Sequence, residues 1–364
     1  MRILLLGEAS NLHWTLGEGL RALGHDVTVA SHGGKWHDNR QHILLRREPG
    51  LWGSLRYMGN LLRYLPAFRN FDVVQVRYPV FLHLRPEKVR YVYDYLRRHN
   101  KKVFLGAFGT DYHYVKACED KLYKYSDFYI GEQPREFPGR EAEMKGWTTP
   151  AMRAHCQYVA DTCNGIAACL YEYYVAYERE YREKLAYLPI PIDLAKHPLR
   201  LIGDTREKVR FFLGIQGDRS ELKGTDIYRQ VLRELHARYP NECEITEVVS
   251  VPLEEYLKLM RSSDVILDQL YSYTPATNAL QAMAQGLAAV SGGEPEFYDF
   301  IGEKELRPII NTAPDPQEVY RALEEIVLQR ESLPQRCMES RAFVEKHHSH
   351  IDVARQYLDF WEKH

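Results

Sequence analysis

The sequence predicts an α/β protein of two doubly wound domains in tandem, and three observations predict it. The chain has 364 residues, too many for one ordinary core and suited to two. Its first third alternates short β-rich runs with helical patterns, as a parallel sheet wrapped by helices does. A second such series follows a proline-bearing stretch, LAYLPIPIDL, then KHPLRLIGD, read as an extended linker because proline removes donors and disfavours helix.

Taken in order, RILLLG is a strand, 14–23 a helix, DVTVAS a strand, 51–65 a helix, DVVQVR a strand, 86–98 a helix and KVFLGAF a strand. Past Asp111 the pattern loosens: 112–185 is tyrosine-rich and mostly helical, with a Pro/Gly loop at 131–150 and one further strand, NGIAAC. The second series runs VRFFLGIQ, helix 224–238, CEITEVV, helix 253–261, DVILDQL, helix 276–285, LAAVSG, PIINT and helix 316–330. The expected domains are 1–193 and 194–348, with the amphipathic, aromatic tail 349–364 packing back on the first.

Composition narrows the class. With 45% hydrophobic and 27% charged residues and a net charge of −2, the chain reads as a globular enzyme-like protein and not as a nucleic-acid binder. The bulk value hides an asymmetry: between Arg40 and Lys102 there are 14 Lys and Arg against four acids. Six cysteines without a CxxC pair or zinc spacing read as reduced thiols, which favours the cytoplasm. The short apolar start breaks at Gly7 and reads as a first strand, not a signal peptide, and no run reaches the ~20 apolar residues of a spanning helix.

In open parallel sheets ligands sit beyond the carboxyl ends of strands, so each strand end is a candidate. After the first strand, GEASNLHWTLGEGL has glycines at 7, 17 and 19, the wrong spacing for a dinucleotide fingerprint, and the second strand ends in Ser31-His32-Gly33-Gly34 with no ribose-binding acid. Both facts count against a nicotinamide enzyme. Glu8, His13 and Trp14 either line a site or pack the loop. Asp111, in the turn GAFGTDY, is placed either to bind a hydroxyl and take its proton or to cap the next helix.

In the second series the turn at Gly217 leads to Arg219 and Lys223 just ahead of Gly224 and a helix. Two cations at a helix start suit a diphosphate. No GxxxxGK[ST] phosphate loop occurs, yet DQLYSYTPATNALQAMAQG offers a helix start bare of charge. There Thr274 is the expected cap and Pro275 the first helical residue, leaving Thr277 and Asn278 to present backbone N–H groups to a phosphate. The alternative is a small-residue helix packed tightly on the sheet.

The segments GEASNLHWTLGEGLRALGHDVTVAS, GIQGDRSELKG, SSDVILDQLYSYTPATNALQAMAQGLAAV and GGEPEFY carry a resemblance. The whole chain resembles GT-B glycosyltransferases, most of all the retaining group often called family 4. That resemblance implies two Rossmann-like domains facing across a cleft, with a nucleotide-sugar donor held mainly by the second. It implies Arg219 and Lys223 on the donor diphosphate, and LQAMAQG resembles the group's "LEAMA-x-G" helix. The group's pair of glutamates with seven residues between them falls on Tyr273 and Gln281, so neither carboxylate is kept. Gln281 can still accept one ribose hydrogen bond, whereas Tyr273 cannot replace a charge. Asp268, Glu294 and Glu296 are the nearby acids that could compensate.

The expected activity is transfer of a sugar, hexosyl-like, from a nucleotide diphosphate-sugar to an acceptor hydroxyl in polysaccharide or glycolipid synthesis, with retention more in keeping with the resemblance than inversion. Arg219, Lys223, Asp111 and His13 form the expected catalytic set. The donor set is Gly217, Arg219, Lys223, Tyr273, Thr277, Asn278 and Gln281, and the acceptor side is Glu8, His13 and Asp111. No metal and no cofactor beyond the sugar-nucleotide co-substrate are expected, since no Asp-x-Asp pair stands out. The acceptor would be a glycan or a lipid-linked sugar. REPGLWGSLRYMGNLLRYLPAFR, basic and aromatic, would let the protein meet an anionic inner membrane peripherally. The alternatives are a nucleotide-sugar 2-epimerase of the same architecture and a non-catalytic sugar-nucleotide binder.

Overall fold

The computed structural model describes residues 1–33, 41–200 and 207–364. Gly34, Arg40 and the end of KHPLRLIGD lie outside the described residues. The chain divides into two compact units. The first comprises Met1–Leu122, Gly139–Pro191 and His350–His364, and the second Tyr123–Pro138 and Ile192–Ser349.

Along the chain the strands are β1 (Arg2–Leu6), β2 (Asp26–Ser31), β3 (Ile43–Leu44), β4 (Val73–Val76), β5 (Lys102–Ala107), the hairpin β6 (Tyr129–Ile130) and β7 (Gln133–Pro134), β8 (Ile166–Ala168) and β9 (Leu185–Tyr187). The first unit's sheet runs β3-β2-β1-β4-β5-β8-β9, parallel throughout. Ile3, Leu4, Leu5 and Leu6 are all buried, as an unbroken apolar strand covered on both faces must be. The C-terminal helix His350–Lys363 packs beside the helix Leu12–Ala22 in this unit. Its Trp361 indole donates to Gln75 Oε1 at 3.1 Å, satisfying the oxygen of a buried amide in β4, and Lys102 Nζ donates to the Trp361 carbonyl at 2.8 Å.

The second unit holds β10 (Val209–Ile215), β11 (Cys243–Val249), β12 (Val265–Leu267) and β13 (Ala288–Val290), a parallel sheet in the order β11-β10-β12-β13. Its core is built from Phe211, Leu213, Tyr228, Leu232, Leu267 and Val290 among others. PIINT contributes an isolated bridge, Val290 to Ile310, in place of the expected strand.

In each sheet the chain order reverses once: between β1 and β4 in the first unit, and between β10 and β12 in the second. Helices then leave neighbouring strands on opposite faces, which opens a crevice at the carboxyl edge.

Candidate functional site

At the second unit's reversal, β10 ends at Ile215 and is followed by a 3₁₀ turn Gly217–Arg219, a single helical turn Ser220–Lys223, and the helix Thr225–Arg238. Between the last two, Gly224 has φ +75°, and a Cβ there would lie 2.7 Å from Leu270 Cβ and 3.0 Å from the Tyr271 ring. Only glycine fits this approach without strain. The Leu270 amide donates to the Lys223 carbonyl at 2.9 Å, so the turn after β10 is stitched to the loop after β12. Arg219 is exposed and Lys223 half-buried. Among the described residues neither side chain is held in a salt bridge, which leaves both charges available.

The loop after β12 leads into the helix Thr277–Ala284, whose N-cap is Ala276 and which has no capping side chain. This corrects the expected cap at Thr274. Thr274 is fully buried in a local turn instead: its amide donates to Ser272 Oγ at 3.3 Å and its carbonyl accepts from the same hydroxyl at 2.7 Å. Its polar backbone groups are thus satisfied before the helix begins. The first amides of the helix, including Thr277 and Asn278, have no intrahelical partner and carry the positive end of the helix dipole. The Asn278 side chain is fixed on both sides, its Nδ2 donating to Asp268 Oδ1 at 3.1 Å and its Oδ1 accepting from Tyr256 Oη at 2.9 Å. Gln281, half-buried, stands one turn on, in line with Thr277 and Asn278.

Tyr273 is buried. Its hydroxyl accepts from the Lys124 amide at 2.7 Å, and burial, ahead of nearby acids, pushes the phenol up to about 12. It is a neutral wall of the site.

Of the three acids that could stand in for the missing pair, Glu294 is buried and held by Tyr125 Oη, by Asn311 Nδ2 at 2.6 Å and by Lys124 Nζ at 3.2 Å. Burial alone would raise it, yet those hydrogen bonds and the lysine charge win and hold it below its ordinary value. Its amide donates to the Tyr273 carbonyl at 3.2 Å, so a carboxylate does stand beside position 273, supplied from the loop after β13. Glu296 pairs with Lys124 Nζ at 2.5 Å. Asp268, at the end of β12, keeps Oδ2 buried without a partner.

The first unit's reversal is built differently. Glu8 follows β1, is buried, and receives the amides of Ala9, His13 and Trp14 at 2.8, 3.0 and 2.9 Å. Burial pushes its carboxyl up to about 7 against those three hydrogen bonds and the Arg77 charge. Glu8 therefore occupies the amides at the start of the helix Leu12–Ala22, whereas Asn11, the N-cap, makes no capping bond with its side chain. His13 is fully buried, with Nδ1 against the Gly7 carbonyl at 2.7 Å and Nε2 unpartnered, and burial lowers it to about 4. Asp111 is buried too: it caps the helix Tyr112–Glu119 through the Tyr114 amide at 3.0 Å, and its other oxygen accepts from Tyr177 Oη at 2.5 Å. Both of its oxygens are thus engaged in holding the fold.

The two reversals differ in one decisive respect. The helix start after β1 carries its own carboxylate, whereas the one after β12 has no capping side chain, and the turn bonded to the loop before it carries Arg219 and Lys223. The sequence reading passed over Tyr256 as a support of Asn278; it lies on another helix and no local pattern announces it. Among the described residues no group of three His, Cys, Asp or Glu side chains is placed to hold a metal ion.

No protein-family model matches the chain, and no curated protein matches it. Solved structures do. The chain is similar to sucrose-phosphate synthase from Thermosynechococcus elongatus at 13% identity, covering 100% of this chain and 99% of that one with a TM-score of 0.64. It is similar to HepE from Anabaena in complex with UDP and glucose at 11% identity, over 100% of both chains, with a TM-score of 0.64. It is similar to the catalytic domain of starch synthase IV from Arabidopsis thaliana bound to ADP and acarbose at 10% identity, over 100% and 99%, with a TM-score of 0.58. Two doubly wound units with these full-length neighbours give the chain the GT-B glycosyltransferase fold.

Proposed function

We propose that the protein transfers a sugar from a nucleotide diphosphate-sugar to an acceptor hydroxyl. The observation that carries the reading is the uncapped helix start at Thr277, joined through Leu270 to the turn that bears Lys223. On this reading the amides of Thr277 and Asn278 and the charges of Arg219 and Lys223 stabilise the negative charge that grows on the departing diphosphate. Preorganised donors of this kind contribute about 3 to 4 kcal/mol each. Gln281 accepts from a ribose hydroxyl, and Gly217 lets the backbone of the β10 turn come close to the nucleotide. HepE and starch synthase IV hold UDP and ADP respectively, which supports a nucleoside diphosphate and leaves the base to experiment. The residues in place supply the charge without a metal or a further cofactor.

The acceptor is assigned to the carboxyl edge of the first unit's sheet. Asp111 and Glu8, with their oxygens engaged, act there as supports; His13 is the remaining member of the sequence set with an unsatisfied nitrogen. No helix among the described residues is long and apolar enough to cross a membrane. A peripheral site on a cytoplasmic membrane face agrees with the six buried, unbridged cysteines and with the exposed Leu51, Trp52, Leu55 and Leu62.

Thermal-shift measurements against UDP- and ADP-sugars test the reading. Stabilisation by at least one donor that disappears in the Arg219→Ala, Lys223→Ala double variant is the expected result, and no stabilisation by any nucleotide sugar would sink it. A non-catalytic binder, favoured by Tyr273 and Gln281 at the motif positions, would show the same stabilisation with no transfer to any acceptor.

A further inference from the structure

Arg77 follows β4 directly and stands at the first unit's reversal, beside Gly7 at the end of β1. Gly7 has φ +89°, and a Cβ there would lie 2.7 Å from Arg77 Cγ, so the chain gives up a side chain to admit the arginine stem. The guanidinium is then aimed by Nη1 donating to the Glu8 carbonyl and Nη2 donating to Tyr78 Oη at 2.6 Å. Of its five N–H groups two are engaged, and Nε is buried without a partner. No described carboxylate is in salt-bridge contact with it, and Glu8, the acid that feels its charge, has been pushed towards neutrality by burial.

Three imidazoles of the same unit feel this charge. His32, from the end of β2, and His83, from the loop after β4, have ring centroids 4.5 Å apart. His83 is held by its amide donating to Tyr57 Oη at 3.2 Å and by Arg47 Nη1 donating to its carbonyl at 2.9 Å. Burial and then the Arg77 charge lower both rings, His32 to about 4, and the same charge acts on His13, whose Nε2 is sealed and unpartnered. A half-buried guanidinium with no counter-ion among the described residues, near imidazoles whose burial favours the neutral form, is an unbalanced arrangement inside a folded protein. It is balanced once an anion enters.

We propose that this edge is an anion subsite, in which Arg77, His32 and His83 bind a phosphate or carboxylate group carried by the acceptor. The subsite deepens the sugar-transfer reading and rests on it for the word acceptor; the anion binding itself does not. It makes the acceptor an acidic molecule, a sugar phosphate or a uronic acid, and it explains why the strand ends here are basic while the helix start after β1 is closed by Glu8.

Calorimetric titration of the full chain at pH 7 and low salt tests it, with inorganic phosphate, glucuronate and neutral glucose as probes and UDP as a separate ligand. The expected result is binding of phosphate or glucuronate but not glucose. Arg77→Gln should weaken it at least about tenfold, and His32→Asn with His83→Asn severalfold, with UDP binding unchanged. Phosphate alone would indicate a phosphorylated acceptor, and glucuronate alone a uronic acid. Should Arg77→Gln not fold, Arg77→Lys and the histidine pair carry the test, with imidazole NMR shifts on anion addition as the second readout. Anion binding no tighter than glucose, or unaltered in every variant, overturns the subsite. Loss of UDP binding by the wild-type chain with anion binding intact would instead overturn the donor reading and leave the subsite standing.

Discussion

The amide of Leu270 donates to the carbonyl of Lys223 at 2.9 Å, and that one bond fixes the cation-bearing turn after β10 to the loop that ends in the open helix start at Thr277. Because the contact uses backbone atoms, the Lys223 side chain is dispensable to it. Lys223→Ala is therefore expected to slow transfer by about a hundredfold or more while leaving the melting temperature unchanged. Steady-state kinetics with the preferred donor, beside calorimetry, checks both halves; wild-type turnover in the variant removes Lys223 from the mechanism.

Gly224 tests the stitching itself. A left-handed alanine costs about 1 to 2 kcal/mol, and its Cβ, 2.7 Å from Leu270 Cβ, would also force the two loops apart. Gly224→Ala should lower the melting temperature by about 3 to 8 °C and weaken nucleotide binding together. A variant that melts early yet binds the donor as tightly as wild type would show that the two loops need not be joined for the site to form.

Which parts of this were legible in the sequence follows from what sequence patterns record. Strands such as RILLLG and VRFFLGI are unbroken apolar runs because both faces of a parallel sheet are covered, and they fell where expected. The helix Leu333–His348 went unread: its buried face includes Ser340 and His348, which blur an apolar period. β9 hides in a stretch whose prolines begin just after it. Residues 123–138 join the second unit through long-range polar contacts that no local pattern contains. Arg135, for one, donates to the Glu221 and Leu222 carbonyls at 2.5 and 3.2 Å and lies over the Tyr271 ring. Arg219, Lys223, Thr277 and Asn278 could be named as candidates because the edge of a parallel sheet is a predictable place. Asp111 was legible only as a choice between two roles, and the Tyr177 hydroxyl that engages its second oxygen comes from a distant helix.

Glu294 gives the second unit a pH dependence of definite sign. Its carboxyl is held below its ordinary 4.5 in the folded state by Tyr125, Asn311 and Lys124, against the effect of burial. A depressed carboxylate stabilises the fold above its unfolded value, and that contribution is lost as the pH falls through the folded one. The stability of the wild-type chain should therefore decline as the pH drops below about 4.5, and Tyr125→Phe with Asn311→Ala should make the decline shallower. Urea unfolding midpoints between pH 7 and pH 3 measure this. Equal slopes in both proteins would place the acid sensitivity elsewhere.

The helix Gly50–Tyr64 makes the last prediction. Tyr57 and Leu61 are buried on one face, while Leu51, Leu55 and Leu62 form an exposed stripe and Trp52, Arg56 and Arg63 a second stripe beside it. Trp52 is 83% exposed, an uncommon condition for the largest side chain in a water-facing helix. A surface with an aromatic anchor, aliphatic neighbours and flanking arginines matches the boundary of an anionic bilayer, where the ring and the aliphatic side chains leave water and each arginine contributes about 1 kcal/mol. Sedimentation with liposomes should therefore retain the wild-type chain on anionic vesicles and release most of it in high salt. Leu51→Ser with Trp52→Ser should reduce retention severalfold without altering nucleotide binding, because neither residue belongs to the second unit. Retention equal on neutral and anionic vesicles would contradict the electrostatic half of the argument, and full retention by the double variant would contradict the apolar half.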